Sequence, residues 1–108
     1  MDFIRFQRKN TGQFALRDVH MRAGFFEGEV RWKMAAGAET IDARVCATAL
    51  HLLGPTPLPS YLDVFEANRG LLSRVARAKF IASGSDFQLP LLIERSDLTP
   101  FLGLRNVA

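Results

Sequence analysis

The chain has 108 residues and 48% of them are hydrophobic, which is enough for one core and too few for two ordinary domains. We therefore expect a single domain over residues 1–108, with its core between about residues 14 and 98 and less ordered termini. No apolar run is long enough to cross a bilayer, and the first ten residues do not resemble a secretory signal, which favours a cytoplasmic location. The single cysteine, Cys46, excludes an internal disulfide and a zinc site built from several cysteines of one chain.

The formal net charge is +3, and arginine carries most of the positive charge. Arginine suits carboxylate and phosphate partners because its planar guanidinium donates paired hydrogen bonds. The basic residues are spread along the chain and form no block of like charges, so the charge alone does not favour nucleic acid as the partner.

The first third of the chain has a β pattern. Residues 2–7 form a short β-prone run. Within residues 14–26 the apolar positions change parity, and a bulge or break near Asp18 explains the change. A turn at residues 27–28 completes a predicted antiparallel hairpin. The strand after this turn alternates apolar with charged residues, and its apolar members are Val30, Trp32 and Met34.

Residues 40–54 are predicted to form the first helix. Thr40 is suited to cap its N-terminus, and Asp42 in the first turn is favourable against the positive end of the helix dipole. Gly54 followed by Pro55 is typical of a helix end. The predicted inward stripe consists of Ile41, Val45, Thr48, Ala49 and Leu52.

Residues 60–83 are predicted to form one long helix, capped at its N-terminus by Ser60 and Asp63. At about 100° per residue, five apolar side chains fall on one face. These are Leu62, Phe65, Leu72, Ala76 and Phe80. Arg69 lies inside this apolar stripe, and a charge on a core-facing surface needs a partner.

The last predicted element is a strand over residues 87–94, which Pro90 places at a sheet edge or a bulge because proline cannot donate to a ladder. The predicted fold class is α+β. A small antiparallel sheet of three or four strands, made of the N-terminal hairpin plus the late edge strand, packs against two helices on one of its faces.

The order of these elements resembles a family of short bacterial proteins catalogued as domain of unknown function fourteen-eighty-eight. The similarity covers residues from about 14 to 98, and the connector AAGAET and both chain ends depart from the family pattern. The residues that carry it are Val19, Met21, Ala23, Gly28, Val30 and Trp32 in the hairpin and Phe65, Arg69, Leu72 and Ala76 in the long helix. The resemblance implies a compact α+β fold and implies no activity, cofactor or catalytic residue.

Arg69 is the first candidate site residue. As a functional residue, it would hold an anion or a partner's carboxylate at the junction of helix and sheet. As a structural residue, it would pack its stem in the stripe and pair with a carboxylate such as Glu66 or Glu94. We favour the structural role, because internal ion pairs are commoner than ligand sites.

Arg74 and Arg77 are the second candidate group, on the outer face of the long helix with Lys79 beside them. They suit phosphates or an acidic protein. Cations near a helix C-terminus are also favourable without any ligand, and a solvated face is the preferred interpretation.

No catalytic, cofactor or metal motif is present in the sequence. His20, His51 and Cys46 match no familiar nucleophile signature and supply too few ligands for zinc. We therefore expect no enzyme and no cofactor. The preferred function is an accessory or interaction module that binds a protein partner or a second copy of the chain, through the open face of the sheet or the basic side of the long helix. Nucleic acid bound through the basic helix face is the alternative, and a ligand binder or enzyme centred on Arg69 is the third hypothesis.

Exposed aromatic side chains are natural anchors for a protein partner. Three aromatic residues, Phe25, Phe26 and Tyr61, are candidates for such an anchor, although core packing is the commoner fate of each one singly.

Overall fold

A five-stranded sheet with helices against one face is the architecture of a computed structural model that describes residues 16–54, 60–83 and 89–103. The α+β prediction is confirmed. The strands are β1 (Arg17–Asp18), β2 (Gly24–Phe26), β3 (Glu29–Ala36), β4 (Glu39–Cys46) and β5 (Leu91–Ile93), and the helices are α1 (Ala47–Leu50), α2 (Tyr61–Ala67), α3 (Arg69–Ser83) and α4 (Arg95–Leu102). The β-prone run predicted at residues 2–7 lies outside the described residues.

The sheet is built around the long hairpin of β3 and β4, which pair antiparallel over eight residues each. β1 and β2 both pair antiparallel with β3, and β5 pairs with β4. Among the described strands, β5 lies at the edge of the sheet, as predicted. Its direction differs from the prediction, because β5 runs parallel to β4. A parallel neighbour requires a crossover connection, and the helical segment between β4 and β5 supplies it.

The core lies between one face of the sheet and the helices. Every second residue of β3 and β4 faces this core, which is the alternation that the sequence predicts for β3. Helices α2, α3 and α4 add their apolar faces to the same cluster. Its largest fully buried side chains include Phe65, Phe80, Met34, Leu72 and Leu98.

The predicted turn and the predicted break both occur. Glu27 and Gly28 have φ values of 50° and 81°, so both central residues of the hairpin turn are left-handed, as a type I′ turn requires. The break separates β1 from β2 over residues 19–23, where His20 also has a positive φ of 57°. Its backbone N–H donates to Asp18 Oδ1 at 2.8 Å, which stabilises the change of direction.

The helix predicted over residues 40–54 is wrong. Residues 39–46 form β4, and only α1, a single turn, is helical. Ile41 and Val45 are four apart, so they fit a helical stripe, but Ala43 between them is also buried and completes a strand alternation. A two-residue turn at Gly37–Ala38 then allows β4 to pair with β3 in full register.

The single long helix predicted over residues 60–83 is two helices. The chain leaves helical geometry at Asn68, where φ is −123° and ψ is 18°. The Asn68 side chain donates to the Val64 carbonyl at 2.8 Å, a local bond that competes with helix continuation. The predicted cap is confirmed, because Ser60 Oγ accepts from the Asp63 N–H at 3.1 Å. The predicted apolar stripe is buried on both sides of the break, except Leu62, which is half-buried.

The chain continues in helical form beyond the predicted end of the core. Helix α4 runs to Leu102, and Leu98 is fully buried, so helical structure extends past residue 98. The expectation of less ordered termini stays a prediction. None of the helices in the described ranges combines the length and apolar character needed to cross a bilayer.

Candidate functional site

Arg69 forms a nearly buried ion pair with Asp18. The guanidinium donates from Nε to Asp18 Oδ2 at 2.6 Å and from Nη2 to Asp18 Oδ1 at 3.0 Å, so the contact is bidentate. The side chains are only 12% and 8% exposed. Nη2 also donates to the Met21 carbonyl at 2.7 Å, and Nη1 to Glu66 Oε2 at 3.2 Å. The charge in the apolar stripe is therefore fully engaged within the chain.

Local backbone features bring these groups together. The break at Asn68 makes Arg69 the first residue of α3, at the corner between the two helices. Asp18 pairs in register with Met34, so its side chain lies on the core side of the sheet. The irregular segment after β1 brings the Met21 carbonyl to the guanidinium. The guanidinium carbon also lies 5.3 Å from the centre of the Phe65 ring, within cation–π range.

A polar stripe on α3 extends this contact. Its members are four residues apart, so they share one face of the helix. Ser73 Oγ donates to Asp18 Oδ2 at 3.3 Å, and Arg77 Nε donates to the Leu16 carbonyl at 3.2 Å. We call Arg69, Ser73 and Arg77 the α3 stripe. Together the three side chains hold the segment from Leu16 to Met21 against the helix.

The Asp18 carboxyl group has a lowered pKa. Burial alone raises it, but the hydrogen bonds from Arg69 and from the His20 N–H, together with the Arg69 charge, outweigh burial. The same hydrogen bond to Asp18 raises the pKa of Arg69. Both groups are therefore charged at neutral pH, and their mutual contact stabilises the folded state.

The lowered pKa predicts acid sensitivity with a definite sign. A carboxyl group with a lower pKa in the folded state stabilises the fold above its unfolded pKa of about 3.9. This stability is lost as the pH falls through the lower folded value. In urea unfolding between pH 7 and pH 2, we expect the wild-type protein to lose more stability below about pH 4 than an Asp18→Asn, Arg69→Met double variant. Parallel pH profiles for the two proteins would contradict this prediction.

Sequence reasoning found one of the two carboxylates at Arg69. Glu66 is a partner, as predicted, whereas Glu94 is not. The main partner, Asp18, is 51 residues away in the chain, and its pairing with Arg69 was missed. The change of parity near Asp18 was the signal that could have pointed to this pairing. It places a carboxylate at a break in the strand, where side-chain contacts must hold the backbone.

The basic group predicted on the solvent-facing side of the long helix is smaller than expected. Arg74 is exposed and has no hydrogen bond or ion pair to any described residue. Arg77 is exposed but donates to Leu16, as described above. Lys79 is turned towards α4, where its Nζ lies 2.8 Å from Asp97 Oδ2. This arrangement leaves Arg74 as the member of the group without a described partner.

The face of the sheet that points away from the helices carries a network of charged side chains beside the exposed ring of Phe26. We call this surface the outer face, and its members are Phe26, Glu29, Arg31, Lys33, Asp42 and Arg44. Phe26 is 54% exposed, and the Arg31 guanidinium carbon lies 5.4 Å from its ring centre. A side chain at position 24 would lie 2.6 Å from this ring, so Gly24 leaves the room that Phe26 occupies.

Two arginines of the outer face share one carboxylate oxygen. Arg31 and Arg44 are direct partners across β3 and β4. Arg31 Nε and Arg44 Nη1 each lie 3.3 Å from Glu29 Oε1, and Arg31 Nη2 lies 3.4 Å from Glu27 Oε1. Lys33 pairs with Asp42 in the neighbouring row. Arg44 Nε is buried, and no described residue accepts a hydrogen bond from it.

The residues considered for nucleophilic or metal chemistry have separate partners. His51 Nε2 lies 2.7 Å from the Tyr61 hydroxyl, whose ring stacks on Phe25 at 5.3 Å. Cys46 Sγ lies 3.2 Å from the Thr48 hydroxyl oxygen. His20 is 81% exposed. Within the described ranges, no group of three or more histidine, cysteine, aspartate or glutamate residues is placed to hold a metal ion.

A groove of about 240 Å³ lies between α3 and α4. Its lining is mostly apolar, and the Lys79–Asp97 pair lies in its wall. The lining residues are Val75, Ala78, Lys79, Ala82, Ser96, Asp97, Pro100 and Phe101. The pairing of Lys79 with Asp97 neutralises both charges of the groove.

Comparison of the chain with protein-family models, with curated proteins and with solved structures found no match. The resemblance to domain of unknown function fourteen-eighty-eight therefore stays a prediction.

Proposed function

We propose that this protein is a non-enzymatic, cytoplasmic interaction module that binds a protein partner through its outer face. The observation that carries the proposal is Phe26, a large apolar side chain that is 54% exposed among charged residues. An apolar anchor with a polar rim is the usual composition of a protein-binding surface. Membership of the family of domain of unknown function fourteen-eighty-eight is part of the same proposal. This membership implies no activity.

Three observations favour the outer face over the other surfaces. The helices fill the opposite side of the sheet, so the side chains of the outer face do not take part in the core. The Arg69 site is internally satisfied by Asp18, Glu66 and the Met21 carbonyl, which argues against a ligand there. The outer face combines an aromatic anchor with guanidinium groups, and both types of side chain are enriched at interaction hot spots.

Affinity capture from native lysate, with and without nuclease, tests the proposal. The wild-type bait is expected to retain a protein in both arms, and Phe26→Ala bait is expected to retain much less of it. Phe101→Ala is the matched control, because Phe101 is 43% exposed on α4, outside the outer face. Thermal melting of all three baits verifies that each is folded.

Retention of the same proteins by Phe26→Ala and wild-type bait would contradict the proposal. Loss of all retained protein in the nuclease arm would instead favour nucleic acid, the alternative attached to Arg74 and Arg77. In that case binding should weaken strongly with salt and with Arg74→Gln.

A further inference from the structure

We propose that the partner of the outer face presents an acidic segment, one carboxylate of which binds between Arg31 and Arg44 while an apolar side chain contacts Phe26. This inference rests on the proposed function and names the chemistry of the partner at the same site. It follows from the charges of the outer face and from how weakly some of them are paired.

The central argument is that Arg31 and Arg44 have more N–H donors than the nearby carboxylates accept. Arg31 and Arg44 face each other directly across two strands, an arrangement of like charges that is unfavourable without a counter-ion. They share a single oxygen of Glu29. Each guanidinium has five N–H donors, so most of the donors are not used by Glu29. A further carboxylate would reduce the repulsion and accept these hydrogen bonds.

The Arg31 side of this position is occupied by Glu27. Its side chain is 87% exposed and lies 3.4 Å from Arg31 Nη2, a long contact at the surface. Exposed pairs of this kind contribute little, because solvent screens them and ordering both side chains costs entropy. A partner's carboxylate can replace Glu27 at Arg31 at little cost. The replacement would lie beside the Phe26 ring, since Arg31 contacts both groups.

The same surface is poorly suited to single-stranded nucleic acid. Such binding uses several aromatic rings along a continuous positive groove. The outer face carries one exposed ring, and carboxylates alternate with its cations. Glu27 and Asp42 would repel a phosphate backbone, whereas a peptide can place a carboxylate and an apolar group at chosen positions. The observations therefore favour an acidic peptide.

Selection from a displayed library of random peptides tests this inference. The immobilised protein is expected to enrich peptides that contain aspartate or glutamate next to a large apolar residue. Binding of the most enriched peptide is then measured by fluorescence anisotropy. We expect Arg31→Gln and Arg44→Gln each to weaken it about tenfold or more, in line with the loss of a charge-assisted hydrogen bond.

Two further variants separate the site from general electrostatics. Arg74→Gln removes the same charge from α3, far from the outer face, and is expected to change the affinity less than about twofold, since an exposed charge remote from the site is screened. Glu27→Gln removes the competing carboxylate and is expected to strengthen binding by about threefold, the size of a surface pair.

The outcomes distinguish this inference from the proposed function. Enrichment of neutral or basic peptides, or enrichment of no peptide, would overturn the inference of an acidic partner. Phe26-dependent capture of a protein from lysate would still support the proposed interaction module in that case. Equal losses with Arg74→Gln and Arg31→Gln would also overturn the site. A labelled 20-residue oligothymidine that binds more tightly than any selected peptide, and loses binding with Arg31→Gln, would overturn both proposals.

Discussion

Replacing Arg69 with alanine is expected to lower the free energy of unfolding by about 3 kcal/mol or more. The variant leaves the Asp18 carboxylate, only 8% exposed, without its bidentate partner. It also leaves the Met21 carbonyl without its donor and removes the cation beside the Phe65 ring. An uncompensated carboxylate at the junction of β1 and α3 is the main cost.

Thermal and urea unfolding measure this effect. For a domain of this size we expect the melting temperature to fall by more than about 10 °C. Arg74→Ala is the control, because it makes the same substitution on an exposed position of the same helix, and its effect should stay within about 0.5 kcal/mol. Equal stability of the two variants would show that the Arg69 pair contributes little. A double-mutant cycle with Asp18→Asn should give a coupling energy of at least about 1 kcal/mol.

Replacing Phe65 with alanine is expected to destabilise the protein by about 3 to 5 kcal/mol. Phe65 is fully buried, and its ring centre lies 4.8 Å from that of Trp32. The variant removes a large apolar surface and leaves a cavity between α2 and the sheet. It also removes the ring that Arg69 covers, so the core and the ion pair are weakened together.

Trp32 supplies the measurement, since it is the single tryptophan of the chain. Its fluorescence should follow urea unfolding and should also differ between folded wild-type protein and the folded Phe65→Ala variant. Phe101→Ala is the control for the loss of an aromatic ring at an exposed position, with an expected cost of less than about 1 kcal/mol. A Phe65→Ala variant as stable as Phe101→Ala would contradict the assignment of Phe65 to the centre of the core.

The sequence predicts the hairpin and the helix stripe well, because in each the period of the apolar residues is unambiguous. Val30, Trp32 and Met34 fit only a strand. Residues 40–54 were misassigned because Ile41 and Val45 satisfy both periods, and the helix-ending signal of Gly54 and Pro55 supported the wrong one. Strand pairing decides between the two periods, since residues 39–46 form hydrogen bonds with β3 along its whole length.

The candidate sites were predicted unevenly for a similar reason. Arg69 was found because a charge in an apolar stripe is visible within one helix. Its partner Asp18 was not found, since it comes from a strand that meets the helix only in the folded chain. The sheet's open face was named as an interaction surface, but its charged cluster was not predicted, because Arg31 and Arg44 become neighbours only through the register of β3 with β4.

The shortness of the outermost strands has a consequence for how the protein meets other molecules. In the described part of the chain, β1, β2 and β5 have only two or three residues each, whereas the two eight-residue strands are paired with each other. Strands this short offer few free backbone groups of their own for a foreign strand to join, which protects the edges that they form against aggregation. Recognition of partners by this protein is therefore expected to depend on side chains of the sheet surface, so that single substitutions there change its binding specificity.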